Sequence, residues 1–196
     1  SDGTDAKMRL FSQWGELNYF PAMAIAAHVS AERNHQTGRV TPIKFRLDVA
    51  MTGRLGMELQ PSQMSKADFA FAKRGIAAYK QIRDVVQLGD LYRLHSPYEG
   101  DGVASLMYVS NDKSRAAFFA YNYNYLFNQK TPSVQLGGLD PNRNYRIKEL
   151  TPWDEKRPCS LDGKVISGKT LMEVGLNLRS LINYNDASVA LELTEE

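Results

Sequence analysis

One cysteine, Cys159, stands in a chain of 196 residues. No disulfide can close within the chain, and the redox compartment stays open between cytoplasm and periplasm. An excess of one charge is equally missing. The chain carries 24 Lys and Arg against 22 Asp and Glu, a net +2, spread along its length, so no long-range field gathers nucleic acid or an anionic membrane. Long apolar runs are absent as well: the longest candidate, residues 23–27, falls far below the ~20 residues of a membrane-spanning helix. The opening Ser1-Asp2-Gly3-Thr4-Asp5 has no initiator Met, no basic segment and no apolar segment of a signal peptide, and reads as a chain begun inside a larger protein. What is present, 43% hydrophobic and 23% charged residues, is the composition of a soluble globular protein. The length suits one ordinary domain, or a small domain with a piece of another.

The first ninety residues read as helix-rich. Met8, Leu10, Phe11, Trp14 and Leu17 recur at helical spacing behind Thr4 as N-cap, and Pro21 ends that helix. Residues 23–29 form a short continuous apolar run, the pattern of a strand buried on both faces as in a parallel sheet. Thr41 and Pro42 suit the N-cap and first position of a second helix. Residues 53–59 read as a short strand or turn. Ser65 caps the longest helix, whose apolar positions Phe69, Ala72, Ile76, Tyr79, Ile82, Val86 and Leu88 advance in steps of three and four until Gly89 closes it. Beyond Gly89 the pattern turns to strands, expected at residues 91–95, 103–109, 115–125, 133–136, 145–150, 170–174 and 187–193. Turn signals between them point to an antiparallel sandwich.

Several motifs in order carry a family resemblance. They are Ser1-Asp2-Gly3-Thr4-Asp5-Ala6, His28-Val29-Ser30-Ala31, Asn34-His35-Gln36-Thr37-Gly38-Arg39, Gly53-Arg54-Leu55-Gly56-Met57-Glu58-Leu59, Gly89-Asp90-Leu91-Tyr92-Arg93-Leu94-His95-Ser96-Pro97 and Gly138-Leu139-Asp140-Pro141. The chain resembles the C-terminal portion of the family 36 glycoside hydrolases of the α-galactosidase (melibiase) type. It departs from the family at Gly3, where Asn is usual, at Ala26-Ala27, where Gly-Ser is common, and at Glu32-Arg33, where Val-Pro is common. The resemblance implies an α+β fragment. Residues 1–60 would be the last units of a (β/α)8 barrel, residues 61–90 a connecting helix and residues 91–196 an antiparallel β-sandwich. It implies no cofactor, and as partners a galactoside oligosaccharide and the remainder of the barrel.

The resemblance also makes Asp2 the general acid/base of a retaining double displacement, with the nucleophile upstream and not in this chain. Asp2 falls where a barrel strand would end, on the face that carries barrel active sites. Asp5 reads as a structural carboxylate of the first helical turn. His28 and His35, with Asn34 near them, lack a Cys or carboxylate at ligand spacing, so no metal site is expected; a hydrogen-bonded histidine would hold the loop. Tyr121, Tyr123 and Tyr125 alternate with Asn122 and Asn124, and their rings read as packing groups rather than a sugar platform. Two alternative functions stand beside the α-galactosidase reading. One is a non-catalytic carbohydrate-binding or structural sandwich, and the other a parent acting on α-N-acetylgalactosamine. A truncated barrel would also expose strand edges, which implies either self-association into a homo-oligomer or remodelling of the N-terminal third.

Overall fold

The computed structural model describes residues 3–126, 128 and 130–196. Its N-terminal part alternates helix and strand: α1 (Ala6–Glu16), β1 (Ala26–Ser30), α2 (Ile43–Ala50), β2 (Arg54–Glu58) and the long α3 (Lys66–Leu88). β1 and β2 pair in parallel, Ala26 opposite Arg54 and Ser30 opposite Glu58. This third therefore keeps a parallel pair instead of being remodelled. The cause is visible in the burial: Ala27 and Val29 have no exposed surface, because α1 and α2 cover that face of the strand.

The remaining chain builds a six-stranded antiparallel sheet from β3 (Asp90–His95), β4 (Val103–Val109), β5 (Arg115–Asn122), β7 (Asn144–Glu149), β8 (Val165–Ser167) and β10 (Ala187–Glu195), in the order β3-β4-β5-β10-β7-β8. A two-stranded ribbon of β6 (Ser133–Val134) and β9 (Leu176–Asn177), with the short helix α4 (Gly168–Glu173), accompanies it. The architecture is α+β with an antiparallel sheet.

Both faces of the central strands are covered, so their alternation separates two cores rather than core from solvent. Ala104, Leu106, Tyr108, Ala117, Phe119, Tyr121 and Ala190 join the helices in one cluster. Val103, Met107, Phe118, Val189 and Leu191 join Val134, Leu136, Leu171 and Leu176 in the other. Three tyrosines fasten the end of α2 and the turn after it: Tyr121 Oη donates to the Asp48 carbonyl at 2.8 Å, Tyr108 Oη to Thr52 at 2.7 Å and Tyr79 Oη to Gly53 at 2.6 Å. Those carbonyls have no partner within the helix, and the phenols supply it.

A buried ionic network crosses the same junction. Lys44 Nζ, on α2, donates to Asp48 Oδ2 at 3.1 Å and to the Thr151 carbonyl at 2.7 Å, and lies 3.4 Å from Glu149 Oε1. Asp48 also accepts from Thr151 Oγ1 and Ser188 Oγ, each at 2.6 Å.

Several sequence expectations change. Residues 170–174 are not a strand. Ser167 Oγ accepts the Thr170 N–H at 3.1 Å and starts α4, while the strand of that region, β8, lies just before it. Residues 22–24 form one 3-10 turn ahead of β1, so the apolar run is strand only in its second half. The α2 N-cap is Pro42, without a side-chain cap bond, not Thr41. The α1 N-cap is Asp5, not Thr4, for reasons given below. Among the described residues no helix is long and apolar enough to cross a membrane.

Candidate active-site segment

Asp2 itself lies outside the described residues; what the structure describes is the apparatus that receives the chain immediately after it. Asp5 adopts extended backbone and its Oδ1 accepts the N–H groups of Lys7 at 2.9 Å and Met8 at 3.2 Å, closing the first turn of α1. The carboxylate is buried and fully used: Thr37 Oγ1 donates to Oδ2 at 2.6 Å, and Arg39 reaches both oxygens at 2.7 Å. Burial alone would raise its pKa. The hydrogen bonds from Thr37 and Met8 and the charge of Arg39 outweigh that effect, and the carboxyl is held below its ordinary value. Asp5 is thus structural, as the sequence suggests, but as the cap and as an ion-pair partner.

Thr37 and Arg39 belong to the loop that leaves the end of β1. Its shape follows from Asn34, buried, whose Oδ1 accepts the N–H groups of Gln36 and Thr37 at 2.9 Å each. This turn lets a side chain do the work of a backbone carbonyl. Gly38 closes it at φ +71°, in the left-handed region that glycine enters without strain. The same loop grips Thr4. Gln36 Oε1 accepts from Thr4 N at 2.9 Å and from Thr4 Oγ1 at 3.0 Å, and Asn34 Nδ2 donates to Thr4 Oγ1 at 2.7 Å. Ser30 Oγ, at the end of β1, donates to the Thr4 carbonyl.

The histidines do something else. His28 Nδ1 lies 3.1 Å from Glu58 Oε2 and 3.3 Å from Arg9 Nη2, joining β1, β2 and α1. His35 is exposed on the loop. It is therefore Asn34, not a histidine, that holds the loop. Gln36, Thr37 and Arg39 went unrecognised as binding partners of residues 4–5. Their one available signal was the Asn34-x-x-Thr37-Gly38 turn pattern, which says that a loop closes but not on what.

The tyrosine row does not form a sugar platform. β5 ends at Asn122, and Tyr121 is fully buried. Tyr123 meets the Phe11 ring edge-on at 5.2 Å and donates to the Pro97 carbonyl at 2.6 Å.

Comparison with known proteins agrees with the resemblance. Residues 1–89 match the Melibiase family model and residues 103–191 that of the glycosyl hydrolase family 36 C-terminal domain. A probable α-galactosidase G of Aspergillus terreus is 36% identical over 98% of this chain and 25% of its own length. α-Galactosidase AgaA of Geobacillus stearothermophilus is 41% identical over 76% of this chain and 20% of its own. Among solved structures, an AgaA variant in complex with raffinose superposes on all of this chain and 25% of its own, with a TM-score of 0.86 and 35% identity. Another AgaA variant, in complex with stachyose, gives the same score at 36% identity. Spanning about a quarter of the length of these relatives, the chain belongs to glycoside hydrolase family 36, the melibiases.

Proposed function

We propose that this chain is the C-terminal part of a retaining exo-α-galactosidase that removes terminal α-linked galactose from oligosaccharides. Asp2 is its general acid/base. The observation that carries the reading is the superposition of the entire chain on an α-galactosidase captured with raffinose, a sugar of the substrate class. The parallel pair β1–β2, backed by α1, α2 and α3, supplies the last barrel units, and the outer edges of that pair take the remaining strands. Residues 61–90 connect this unit to the β domain of residues 91–196.

In this reading Asp2 protonates the departing glycosidic oxygen and then takes a proton from the water that releases the sugar, while a carboxylate upstream forms the covalent intermediate. The test uses the full-length protein with Asp2→Ala. Turnover of raffinose, whose leaving group needs a proton, falls on the order of 10²–10⁴-fold, while the glycosylation step of an activated aryl α-galactoside falls far less. Equal losses in that step on both substrates refute the assignment.

A further inference from the structure

Two sets of bonds hold the start of α1, and only one of them serves the helix. Asp5 caps α1, and Thr37 and Arg39 hold the Asp5 carboxylate. Gln36, Asn34 and Ser30 instead take hold of Thr4, which precedes the cap. Its N–H and its carbonyl are bound by side chains from the β1 end and the loop after it, and neither group is needed to close the first turn. Asn34 Nδ2, Thr4 Oγ1 and Gln36 Oε1 form a chain of donors and acceptors whose direction is fixed, since the amide donates, the hydroxyl passes the bond on and the carbonyl oxygen only accepts. Thr4, Ser30 and Asn34 are all buried, so the bonds of Ser30 and Asn34 to Thr4 are sheltered from water, while Gln36 closes the set from the exposed side of the loop. Securing both backbone polar groups of Thr4 fixes its backbone, two residues after Asp2 in the sequence.

We infer that Gln36, together with Ser30 and Asn34, is a positioning device for the acid/base: it locks Thr4 and so sets where the Asp2 carboxyl stands relative to the glycosidic oxygen. The inference rests on the assignment of Asp2 proposed above. None of the three residues is assigned contact with substrate. They act through the backbone, and a displacement of about 1 Å at a catalytic group costs on the order of 10²-fold in rate.

The experiment uses the full-length protein and compares Gln36→Met, which keeps the length and loses the acceptor, with Gln36→Glu, which keeps it. Ser30→Ala is measured alongside, so the outcome does not depend on one variant folding. Each is assayed on raffinose and on 2,4-dinitrophenyl α-galactoside, with Asp2→Asn as reference and the thermal midpoint recorded. The expected result is a fall in kcat/KM on raffinose of about 10–10²-fold, with kcat/KM on the dinitrophenyl substrate, which reads its glycosylation step, nearly kept. Gln36→Glu regains most of the loss. Equal losses of kcat/KM on both substrates, losses that track the thermal midpoint, or full raffinose activity in both Gln36→Met and Ser30→Ala overturn the inference. If Asp2→Asn itself shows no dependence on the leaving group, the acid/base assignment falls, and the positioning role falls with it.

Discussion

Lys44 is the residue whose removal most directly probes how the helical part and the sheet are joined. Its ammonium is 4% exposed and sits between Asp48, fully buried, and Glu149, 8% exposed, on opposite sides of the junction. Lys44→Met keeps the apolar stem and removes the charge. The variant leaves two carboxylates in a desolvated place without a cation, and leaves the Thr151 carbonyl without its donor. Breaking a buried pair from one side costs about 3–5 kcal/mol, against a total stability of roughly 5–15 kcal/mol for a folded protein. Urea unfolding of the 196-residue chain followed by tryptophan fluorescence reads the loss as a lower midpoint at unchanged slope. Asp48→Asn, which leaves Lys44 balanced by Glu149, costs less than Lys44→Met, and the double variant costs less than the sum of the two. A loss below about 1 kcal/mol for Lys44→Met, the size of an exposed ion pair, would show that the network does not join the two parts.

Two further outcomes are expected. The 196-residue chain alone releases no nitrophenol from an aryl α-galactoside above the level of an Asp2→Ala control, because a retaining mechanism needs a second carboxylate about 5–5.5 Å away; measurable turnover refutes this. Asp5 has its folded pKa held below the ordinary value. Its contribution to stability is therefore complete above about pH 4 and is lost as the pH falls through the lowered folded value. Asp5→Asn flattens this acid-side loss in urea unfolding between neutral pH and about pH 3, whereas an unchanged pH dependence would place the acid sensitivity elsewhere.

The elements that announced themselves in the sequence are those whose local chemistry agrees with their tertiary place. The long helix has Ser65 accepting the Asp68 N–H at its start and Gly89 at its end, and Ala72, Tyr79, Ile82 and Val86 of its expected apolar face are buried, whereas Phe69 and Leu88 at its two ends are exposed and Phe71 is buried instead. β4 runs over residues 103–109 as its apolar content suggests. The misread segment at residues 170–174 is short, and Leu171 and Val174 fit a strand or a turn of helix equally; the Ser167 cap decides it. Burial of the sheet on both faces was hidden because small residues such as Ala104, Ala117 and Ala190 occupy one face, where the tyrosines and helices supply the volume. At the candidate site the loop motif was visible and its purpose was not. The bonds from Gln36, Asn34 and Ser30 to Thr4 join residues 26 to 32 positions apart, a distance across which periodicity and propensity carry no information.

The most direct measurement of the central claim is chemical rescue of Asp2→Ala in the full-length protein. With 2,4-dinitrophenyl α-galactoside the upstream carboxylate still forms the covalent intermediate, and azide, which needs no general base, then attacks it from the face the leaving group vacated. Nuclear magnetic resonance of the product is predicted to show α-galactosyl azide, formed with net retention and faster than hydrolysis without azide. β-Galactosyl azide would identify Asp2 as the nucleophile, and undiminished hydrolysis of raffinose by the variant would remove it from the chemistry altogether.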